Sequence, residues 1–559
     1  MNRGDKNTKS SAIDRRAFFR YGAVGGAVAV ARPALAKASI SAASFEKVEA
    51  PKIESFELEE ATIEDLQKRM RSGELTSRSL VEKYMARIEA LDQRGPTLRA
   101  VLEVNPDALG IADALDQERK TGKLRGPLHG IPVLLKDNIG TTDRMTTTAG
   151  SLALEGSIAP ADAFLAKKLR EAGAVLLGKA NLSEWANFRS THSSSGWSGR
   201  GGQCRNPYAL DRNPSGSSSG SGVAAAANYC AVAVGTETDG SIVSPSNNCS
   251  LVGIKPTLGL VSRSGVIPIA HSQDTPGPMT RTVRDAALLL SVLAGIDPAD
   301  TATKASAGKT QPDYTKFLDP SGAKGARIGV PRKVFFGQSA SADRIVEAAI
   351  ADLKRLGAEI VDPADIATAG EFEKSELEVL LYEFKADLNA YLASLGSNAR
   401  MRTLKDLIDF NEKNRAKEMP YFGQEIFEQA EKKGPLTEKA YREALAKDQR
   451  LSRKEGIDKV MEKHKLDAFV APTSGPATLI DLVNGDYGVN GSSTLPAVAG
   501  YPHITVPAGH DFGLPVGISF FGRAWSEPTL LKIAYAYEQA TRHRRPPQFL
   551  PTANLAAST

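Results

Sequence analysis

The chain has 559 residues, of which 41% are hydrophobic and 24% charged, a composition that suits a soluble globular protein able to bury a large core. Its net charge of +5 resides in residues 1–36, which hold seven Lys or Arg and two acids, so the remainder is neutral and gives no reason to expect a nucleic acid or an anionic membrane as partner. Three cysteines without C-x-x-C spacing exclude a secreted disulfide scaffold.

The N-terminus has the layout of an export signal. A basic polar start precedes the twin arginine Arg15–Arg16, a weakly apolar stretch over 21–31 and an A-x-A site at 34–36. This order predicts a twin-arginine-type signal peptide over residues 1–36 and a periplasmic or extracellular location. The apolar stretch is too short to span a bilayer, so no stable membrane insertion is expected. The alternative interpretation is a disordered basic tail.

Helix-like and strand-like segments alternate from residue 60 onward. The first helix follows Thr62, whose spacing to Asp65 resembles a capping box. "GIPVLLK" is typical of a short buried strand, and helix–strand pairs follow in "ADAFLAKKLREAGAVLLGK" and "GVAAAANYCAVAVGT". The alternation predicts an α/β fold, in which one large domain over 60–545 has a mixed, largely parallel central sheet covered by helices on both sides.

Three other segments complete the expected organisation. Residues 365–460 are highly charged and helix-like, which predicts a helical insertion over the core, a common place for substrate contacts. Residues 37–59 are expected to be a spacer after the signal, and residues 546–559 a C-terminal tail.

Short matches to known motifs fail on their context. Gly173–Lys179 has the spacing of a phosphate loop, but an alanine follows where Ser or Thr is required. "SAGK" and "SGAK" match S-x-x-K in polar loops, where so short a pattern arises by chance. Gly216–Gly220 matches G-x-S-x-G with Ser218 as nucleophile, but no apolar strand precedes it. The seven histidines show no metal-ligand spacing, so neither a metal nor a cofactor is predicted.

A lysine and two serine-containing turns fit hydrolytic chemistry better. Lys136 ends an apolar strand, where desolvation disfavours the ammonium and a neutral amine can serve as a base. Ser241 lies in the tight turn "DGS" after another strand, where backbone N–H groups can converge as an oxyanion hole. The Ser/Gly run "NPSGSSSGSG" would fold back between them as a bridge. The alternatives are a lysine that reaches solvent at the sheet edge and an ordinary turn serine.

The same stretches carry a family resemblance. "GPLHGIPVLLKDNI", "NPSGSSSGSG", "GTETDGSI" and "GIKPTLGLVS" resemble, in this order, the signatures of the amidase signature family. The resemblance spans roughly residues 60 to 545 and implies a Ser–cis-Ser–Lys triad, in which Lys136 is the base, Ser217 the bridging serine with a cis peptide bond, and Ser241 the nucleophile. It also implies an oxyanion hole, made by the backbone N–H groups of Thr238, Asp239, Gly240 and Ser241.

Several positions depart from the family pattern. Ser215 and Ser219 replace glycines of the usual loop, Asp239 stands where glycine is common, and Val243 stands where many members have arginine. The backbone donors survive these changes, but their geometry and local charge can differ from the family average. Ser218, Asp239 and Gln273 are weaker candidates for orienting the triad or the substrate, and a solvated or structural role is the alternative for Gln273.

The resemblance implies an amidohydrolase that releases ammonia through an acyl-enzyme, with a small or short peptide amide as partner and a monomer or homodimer as the assembly. "SGWSGRGGQCRNPY" and "SQDTPGPM" are most similar to members that act on C-terminal amides of peptides. The alternatives are an amidase of fatty acid, aliphatic or aryl amides, and the amidase component of glutamyl-tRNA amidotransferase. A non-enzymatic alternative is an exported binding protein on an amidase scaffold.

Overall fold

A central sheet organises the fold of the protein. The computed structural model describes residues 49–397, 399–487 and 491–556. The predicted export signal lies outside these residues. The strands are β1 (Val101–Val104), β2 (Pro132–Lys136), β3 (Val175–Ala180), β4 (Trp197–Ser198), β5 (Gly202–Gln203), β6 (Val232–Glu237), β7 (Val252–Lys255), β8 (Thr275–Thr280), β9 (Arg327–Gly329), β10 (Glu359–Val361), β11 (Ala468–Pro472), β12 (His503–Asp511) and β13 (Leu514–Phe521). β4 and β5 form a separate small hairpin.

Helices surround the sheet. They are α1 (Ile63–Arg71), α2 (Ser77–Ile88), α3 (Ala108–Lys120), α4 (Phe164–Glu171), α5 (Ser219–Ala226), α6 (Val243–Asn248), α7 (Val283–Leu293), α8 (Arg332–Phe335), α9 (Ala340–Arg355), α10 (Glu373–Ser394), α11 (Leu404–Lys413), α12 (Arg415–Glu418), α13 (Glu425–Glu431), α14 (Lys439–Gln449), α15 (Asp458–His464), α16 (Thr494–Ala499) and α17 (Glu527–Thr541). The predicted capping box at Thr62 and Asp65 is present at the start of α1.

The eleven strands of the main sheet run in the order β1-β3-β2-β6-β8-β7-β12-β13-β11-β9-β10. Parallel pairs join β2 to β3 and to β6 on one flank, and β9 to β10 and to β11 on the other. The strands between these flanks pair antiparallel, and β12 and β13 form a hairpin. The prediction of an α/β fold with a mixed sheet in one large domain is confirmed, although antiparallel pairs contribute more than the alternation indicated.

Parallel pairing of β2 with β6 positions the polar groups of the site. Both strands are fully buried, as their continuous apolar sequences require in a sheet covered on both faces. Leu135 pairs with Val234, so Lys136 and Thr236 leave the sheet at the same edge. Functional groups in α/β proteins gather at this carboxyl edge of parallel strands.

The charged segment 365–460 is helical in the residues that the structure describes, with α10 through α14 between β10 and β11. Its apolar side chains, among them Leu381, Phe384, Leu388 and Phe427, share a core cluster with Trp185 and Ile269 from the main domain. The helices therefore pack on the same side of the molecule as the loops that follow β3 and β7. Among the described residues, no helix is long and apolar enough to cross a membrane.

Candidate active site

Lys136 lies at the end of β2 with its side chain completely buried. Its Nζ is 2.8 Å from Ser217 Oγ, and it donates to the carbonyl oxygen of Thr236 at 3.1 Å and to Thr236 Oγ1 at 2.9 Å. Burial lowers the pKa of this amine to about 7, against the opposing influence of the Asp274 and Glu237 carboxylates. The neutral and charged forms of the amine are therefore both populated near pH 7, and the neutral form can act as a general base.

The Ser/Gly run is an ordered loop and not a linker. The Gly216–Ser217 peptide bond is cis, and the Ser217 side chain is fully buried. A Cβ at Gly216 would lie 2.2 Å from Ser183 Oγ, so a larger residue there would force the Ser183 hydroxyl to move. The loop then continues directly into α5, which explains why the run is followed by an apolar sequence.

Ser241 follows β6 in the turn that contains Gly240, whose φ of +76° favours glycine. The carbonyl oxygen of Ser241 accepts a hydrogen bond from the Ser218 N–H at 3.1 Å, which joins this turn to the Ser/Gly loop. Glu237 holds the other end of the turn, because its carboxylate accepts from the N–H groups of Ile242 at 2.7 Å and Val243 at 3.0 Å. The fold thus brings Lys136, Ser217 and Ser241 into one hydrogen-bonded region.

The backbone of the turn is left with free donors. Within the described residues, none of the N–H groups of Thr238, Asp239, Gly240 and Ser241 donates a hydrogen bond. Buried N–H groups are nearly always paired in native proteins, so a cluster of free ones indicates a place for an external acceptor. Such a cluster beside a serine hydroxyl has the composition of an oxyanion hole.

Ser218 and Gln273, which the sequence suggested as groups that orient the substrate, are hydrogen-bonded to other residues of the protein. Ser218 Oγ donates to the Thr236 carbonyl at 3.0 Å and accepts from the Thr236 N–H at 3.2 Å, so it fastens the loop to β6. Gln273 Nε2 donates to the Thr238 carbonyl at 3.3 Å and to Glu376 Oε1 at 3.0 Å. Both side chains therefore support the turn and the loop around Ser241.

Thr236, Asn138 and Asp274 complete the site, and none of the three was predicted from the sequence. Asn138 Nδ2 donates to Thr236 Oγ1 at 3.0 Å, which orders the hydroxyl that contacts Lys136. Thr238 Oγ1 donates to Asp274 Oδ1 at 2.6 Å. Thr236 and Asn138 lie next to motif residues in the sequence. This proximity is the signal that could have identified them as part of the site.

The four departures from the family pattern are all accommodated. Ser215 adopts a φ of +62°, and its carbonyl accepts from Ser219 Oγ at 2.6 Å. Asp239 accepts hydrogen bonds from the hydroxyls of Ser493 at 2.5 Å and Thr494 at 2.7 Å. Val243 starts α6 as a fully buried side chain. The Ser219 hydroxyl and the Asp239 carboxylate are thus hydrogen-bonded within the protein.

Two cavities adjoin the turn. The apolar cavity, of about 430 Å³, has among its lining residues Ala186, Val266, Ile267, Pro268, Ile269 and Tyr391, and it also touches Ser217 and Thr238. The acidic cavity, of about 680 Å³, is lined by polar groups that include Asp239, Gly240, Ser244, Glu373, Glu376, Ser493 and Thr494. Because Thr238 faces one cavity and Asp239 the other, the turn separates them.

His271, Glu383 and Asp387 form a three-residue group of metal-ligand types among the described residues, beside the apolar cavity. The two ring nitrogens of His271 already lie 3.3 Å from Glu383 and 2.8 Å from Asp387. Both carboxylates also accept backbone N–H groups, from Ser272 at 2.9 Å and His271 at 3.0 Å. The arrangement is therefore an ion-pair cluster and not an open set of metal ligands.

Comparison with known proteins identifies the family. Residues 79–531 match the family described as Amidase. The structure is similar to that of native peptide amidase from Stenotrophomonas maltophilia, with a TM-score of 0.84 and 51% identity, over 89% of this chain and 100% of that one.

Two relatives by sequence extend this result. A protein of Arabidopsis thaliana described as a probable amidase is 47% identical over 88% of this chain and 92% of its own length. A glutamyl-tRNA(Gln) amidotransferase component from Alkalilimnicola ehrlichii is 35% identical over 88% of this chain and 99% of its own length. Together with the site geometry, these matches establish that the chain belongs to the amidase signature family and is an amidohydrolase acting on amides.

Proposed function

We propose that the protein hydrolyses carboxamides with release of ammonia through a Ser–cis-Ser–Lys triad, and that C-terminal amides of peptides are its preferred substrates. One observation carries the proposal for the triad. The buried Lys136 amine, with a pKa of about 7, lies 2.8 Å from Ser217 Oγ in a loop that is bonded to the Ser241 turn.

The proton relay starts from the neutral amine. The Nζ of Lys136 accepts the proton of Ser217, Ser217 Oγ accepts that of Ser241, and Ser241 Oγ forms a bond to the carboxamide carbon. The electron pair of the carbonyl moves to oxygen, and the resulting oxyanion accepts hydrogen bonds from the free N–H groups of residues 238–241.

Collapse of the tetrahedral intermediate breaks the C–N bond. The proton held on Lys136 returns through Ser217 to the leaving nitrogen, so that ammonia departs and an ester to Ser241 remains. Water then attacks the ester carbon and gives its proton to the same relay, and Ser241 recovers its hydroxyl. The hydrolysis consumes one water, releases one carboxylic acid and one ammonia, and uses only groups of this chain.

The peptide preference rests on similarity and on the shape of the site. The chain is 51% identical to a protein named as a peptide amidase, and two cavities beside the turn offer room for the residues of a peptide. The similarity to the amidotransferase component is weaker, at 35% identity, and hydrolysis of glutamine or of fatty acid and aryl amides remains the alternative.

Ammonia release from a panel tests this function. The panel holds a C-terminally amidated dipeptide, a fatty acid amide, glutamine and an aryl amide, with Ser241→Ala protein in parallel. We expect fast release from the peptide amide, and a decrease of about 10³-fold or more in Ser241→Ala, since the nucleophile is lost. Activity confined to another amide would overturn the peptide preference and keep the triad. Undiminished activity of Ser241→Ala would overturn the triad.

We also propose that the N-terminal segment directs export by the twin-arginine route, on the strength of Arg15–Arg16, the apolar stretch and the A-x-A site. Replacing both arginines by lysine retains the charge and removes the recognised pair. The double variant is expected to stay in the cytoplasm as uncleaved precursor, whereas export of the double variant at the normal rate would contradict the proposal.

A further inference from the structure

The acidic cavity places two carboxylates beside the Ser241 turn. Asp239 is two residues before Ser241, and Glu376 comes from α10 in the helical segment. Both line the cavity, and Glu376 is 8% exposed. The cavity therefore reaches from the nucleophile turn to the helices that cover it.

Neither carboxylate forms an ion pair among the described residues. Asp239 accepts hydrogen bonds from the Ser493 and Thr494 hydroxyls, and Glu376 accepts from Gln273. These partners are neutral, so they satisfy oxygen atoms of the carboxylates without balancing the charge.

Other charged groups near Asp239 and Glu376 do not balance the negative charge of these two carboxylates. Lys333 and Glu373 of the cavity lining are both exposed and of opposite sign. The buried Lys255 attracts Asp239 from a distance, but its amine donates to the carbonyl oxygen of Tyr501 at 2.5 Å. A third buried carboxylate, Asp448, lies close enough to add its negative charge around Glu376.

This accumulation of buried acids is costly without a cation beside them. Burial raises the pKa of Glu376 well above its ordinary value, and the negative charges of Asp239 and Asp448 raise it further. A buried charge is normally paired, because the loss of hydration costs several kcal/mol per ion, on the order of magnitude found in proteins. A cationic group that enters the cavity would favour the ionised form of these carboxyls and would be the partner of their charge.

Most of the charged groups named at the apolar cavity are paired with one another. Arg263 there is paired with Asp300 at 2.6 Å, and His271 with Asp387 at 2.8 Å. Its Asp274 carboxylate accepts hydrogen bonds from Thr238 Oγ1 at 2.6 Å and from the Ile269 N–H at 2.8 Å. Within the described part of the chain, Asp274 is thus one carboxylate without an ion pair in the apolar cavity, whereas Asp239 and Glu376 are two such carboxylates in the acidic cavity.

We propose that the acidic cavity binds a positively charged group of the amide substrate, an ammonium or a guanidinium in its acyl part, and that Asp239 and Glu376 determine this preference. The inference rests on the proposed function, because the cation is placed relative to a carboxamide at Ser241. Two parts of a peptide amide supply such a charge, namely a basic side chain and the free N-terminal ammonium.

Matched substrate pairs distinguish these two sources. Nα-acetyl-lysinamide and Nα-acetyl-norleucinamide differ by the charged amine at the end of a side chain of the same carbon length. Glycyl-norleucinamide and its Nα-acetyl derivative differ by the N-terminal charge. The measured quantity is the ratio of kcat/KM for the charged substrate to that for the neutral substrate, from ammonia release.

We expect the unmodified protein to favour the charged member of at least one pair by about tenfold, the scale of a hydrogen bond to a charged group. Glu376→Gln keeps the shape and should lower that ratio by about tenfold. Glu378→Gln is the control, since Glu378 lies on the same helix, pairs with Lys433 and does not line the cavity. The control should leave the ratio within about twofold, because only the charge inside the cavity matters.

A direct binding measurement covers the case in which Glu376→Gln fails to fold. Ser241→Ala protein, which retains both carboxylates, should bind the charged substrate about tenfold more tightly than its neutral partner in calorimetry. A charged-to-neutral ratio of about one in both pairs, or a ratio that Glu376→Gln leaves unchanged, would overturn the cation site. Neither result would contradict the hydrolysis itself. Failure of the unmodified protein to hydrolyse any amide would overturn the proposed function and this inference with it.

Discussion

At the scale of single residues, Lys136 shows how burial changes the chemistry of a common side chain. Two acceptors on Thr236 hold its amine, and Ser217 Oγ takes the remaining position. A neutral amine has two N–H donors and one lone pair. Donation to the two Thr236 oxygens therefore directs the lone pair toward the serine hydroxyl.

The pH dependence of the reaction follows from this amine. Only the neutral form accepts a proton, and the pKa is lowered to about 7 by burial. We therefore expect kcat/KM for a peptide amide to rise with pH between about 6 and 8 and to level off above. A profile that falls across this range would contradict the assignment of Lys136 as the base.

A second buried lysine provides the control for substitution. Lys179 is equally buried, with a pKa lowered to about 8, but its Nζ donates to the Ile139 carbonyl at 2.7 Å and to Thr147 Oγ1 at 2.8 Å. Lys136→Met should abolish turnover while the protein stays folded by circular dichroism. Lys179→Met, assayed below its melting temperature, should retain turnover, since that lysine does not contact the serines.

At the scale of elements, α5 depends on glycine for its close approach to the sheet. A Cβ at Gly220 would lie 2.4 Å from the carbonyl oxygens of both Ala100 and Asn181, which are backbone atoms that cannot rotate away. At Gly222 the nearest atom is the flexible Met279 Cε at 3.3 Å. The two glycines are fully buried in the same helix and differ only in the space around them.

Substitution by alanine separates these two environments. We expect Gly220→Ala to lower the free energy of unfolding by about 1–3 kcal/mol, or more, since rigid backbone must move. Gly222→Ala should change it by no more than about 1 kcal/mol, because alanine is the better helix former and Met279 can adjust. Urea unfolding of the two variants measures the difference, and equal losses of stability would contradict the steric argument.

At the scale of the whole molecule, the helices of the segment 365–460 reach the site through polar links. Glu376 on α10 contacts Gln273, which holds the Thr238 carbonyl. Further along α10, Glu383 and Asp387 flank His271. These contacts connect the covering helices to the loop 263–274 that lines the apolar cavity.

The contribution of the His271 contacts to the stability of the protein should depend on pH. Burial opposes its charge, but the hydrogen bond to Asp387 and the charge of Glu383 outweigh burial and raise the pKa of His271 above 6.5. Its stabilising contribution is then complete below about pH 6.5 and is lost as pH rises through the higher folded-state pKa. We expect His271→Gln to lower the melting temperature more at pH 5.5 than at pH 8.5.

His192→Gln serves as the control for that measurement, since His192 is exposed and forms no ion pair within the described residues. Its melting temperature should differ from that of the unmodified protein by a similar small amount at both pH values. If His271→Gln lowered the melting temperature more at pH 8.5 than at pH 5.5, the predicted direction of the pKa shift of His271 would be contradicted.

Local sequence patterns were sufficient to predict many elements of the fold and part of the candidate site. Buried strands such as β2 and β6 and the capping box at Thr62 could be predicted, because continuous apolar runs and caps depend on neighbouring residues. Local patterns also pointed to Lys136 and to the turn of Ser241, whereas Ser217 was predicted from the family resemblance of the Ser/Gly run. The structure places these three residues together, and their catalytic roles stay a prediction until turnover is measured.

The strand order, the antiparallel centre of the sheet and the groups that surround the site become known only from the folded chain. Strand pairing depends on contacts between distant segments, which the sequence pattern of one strand does not record. For the same reason, nothing in the sequence around Glu376 pointed to Asp239, which precedes it by more than 100 residues. Charge placement inside a cavity is a property of the packed molecule, since it depends on which distant side chains lose their water together.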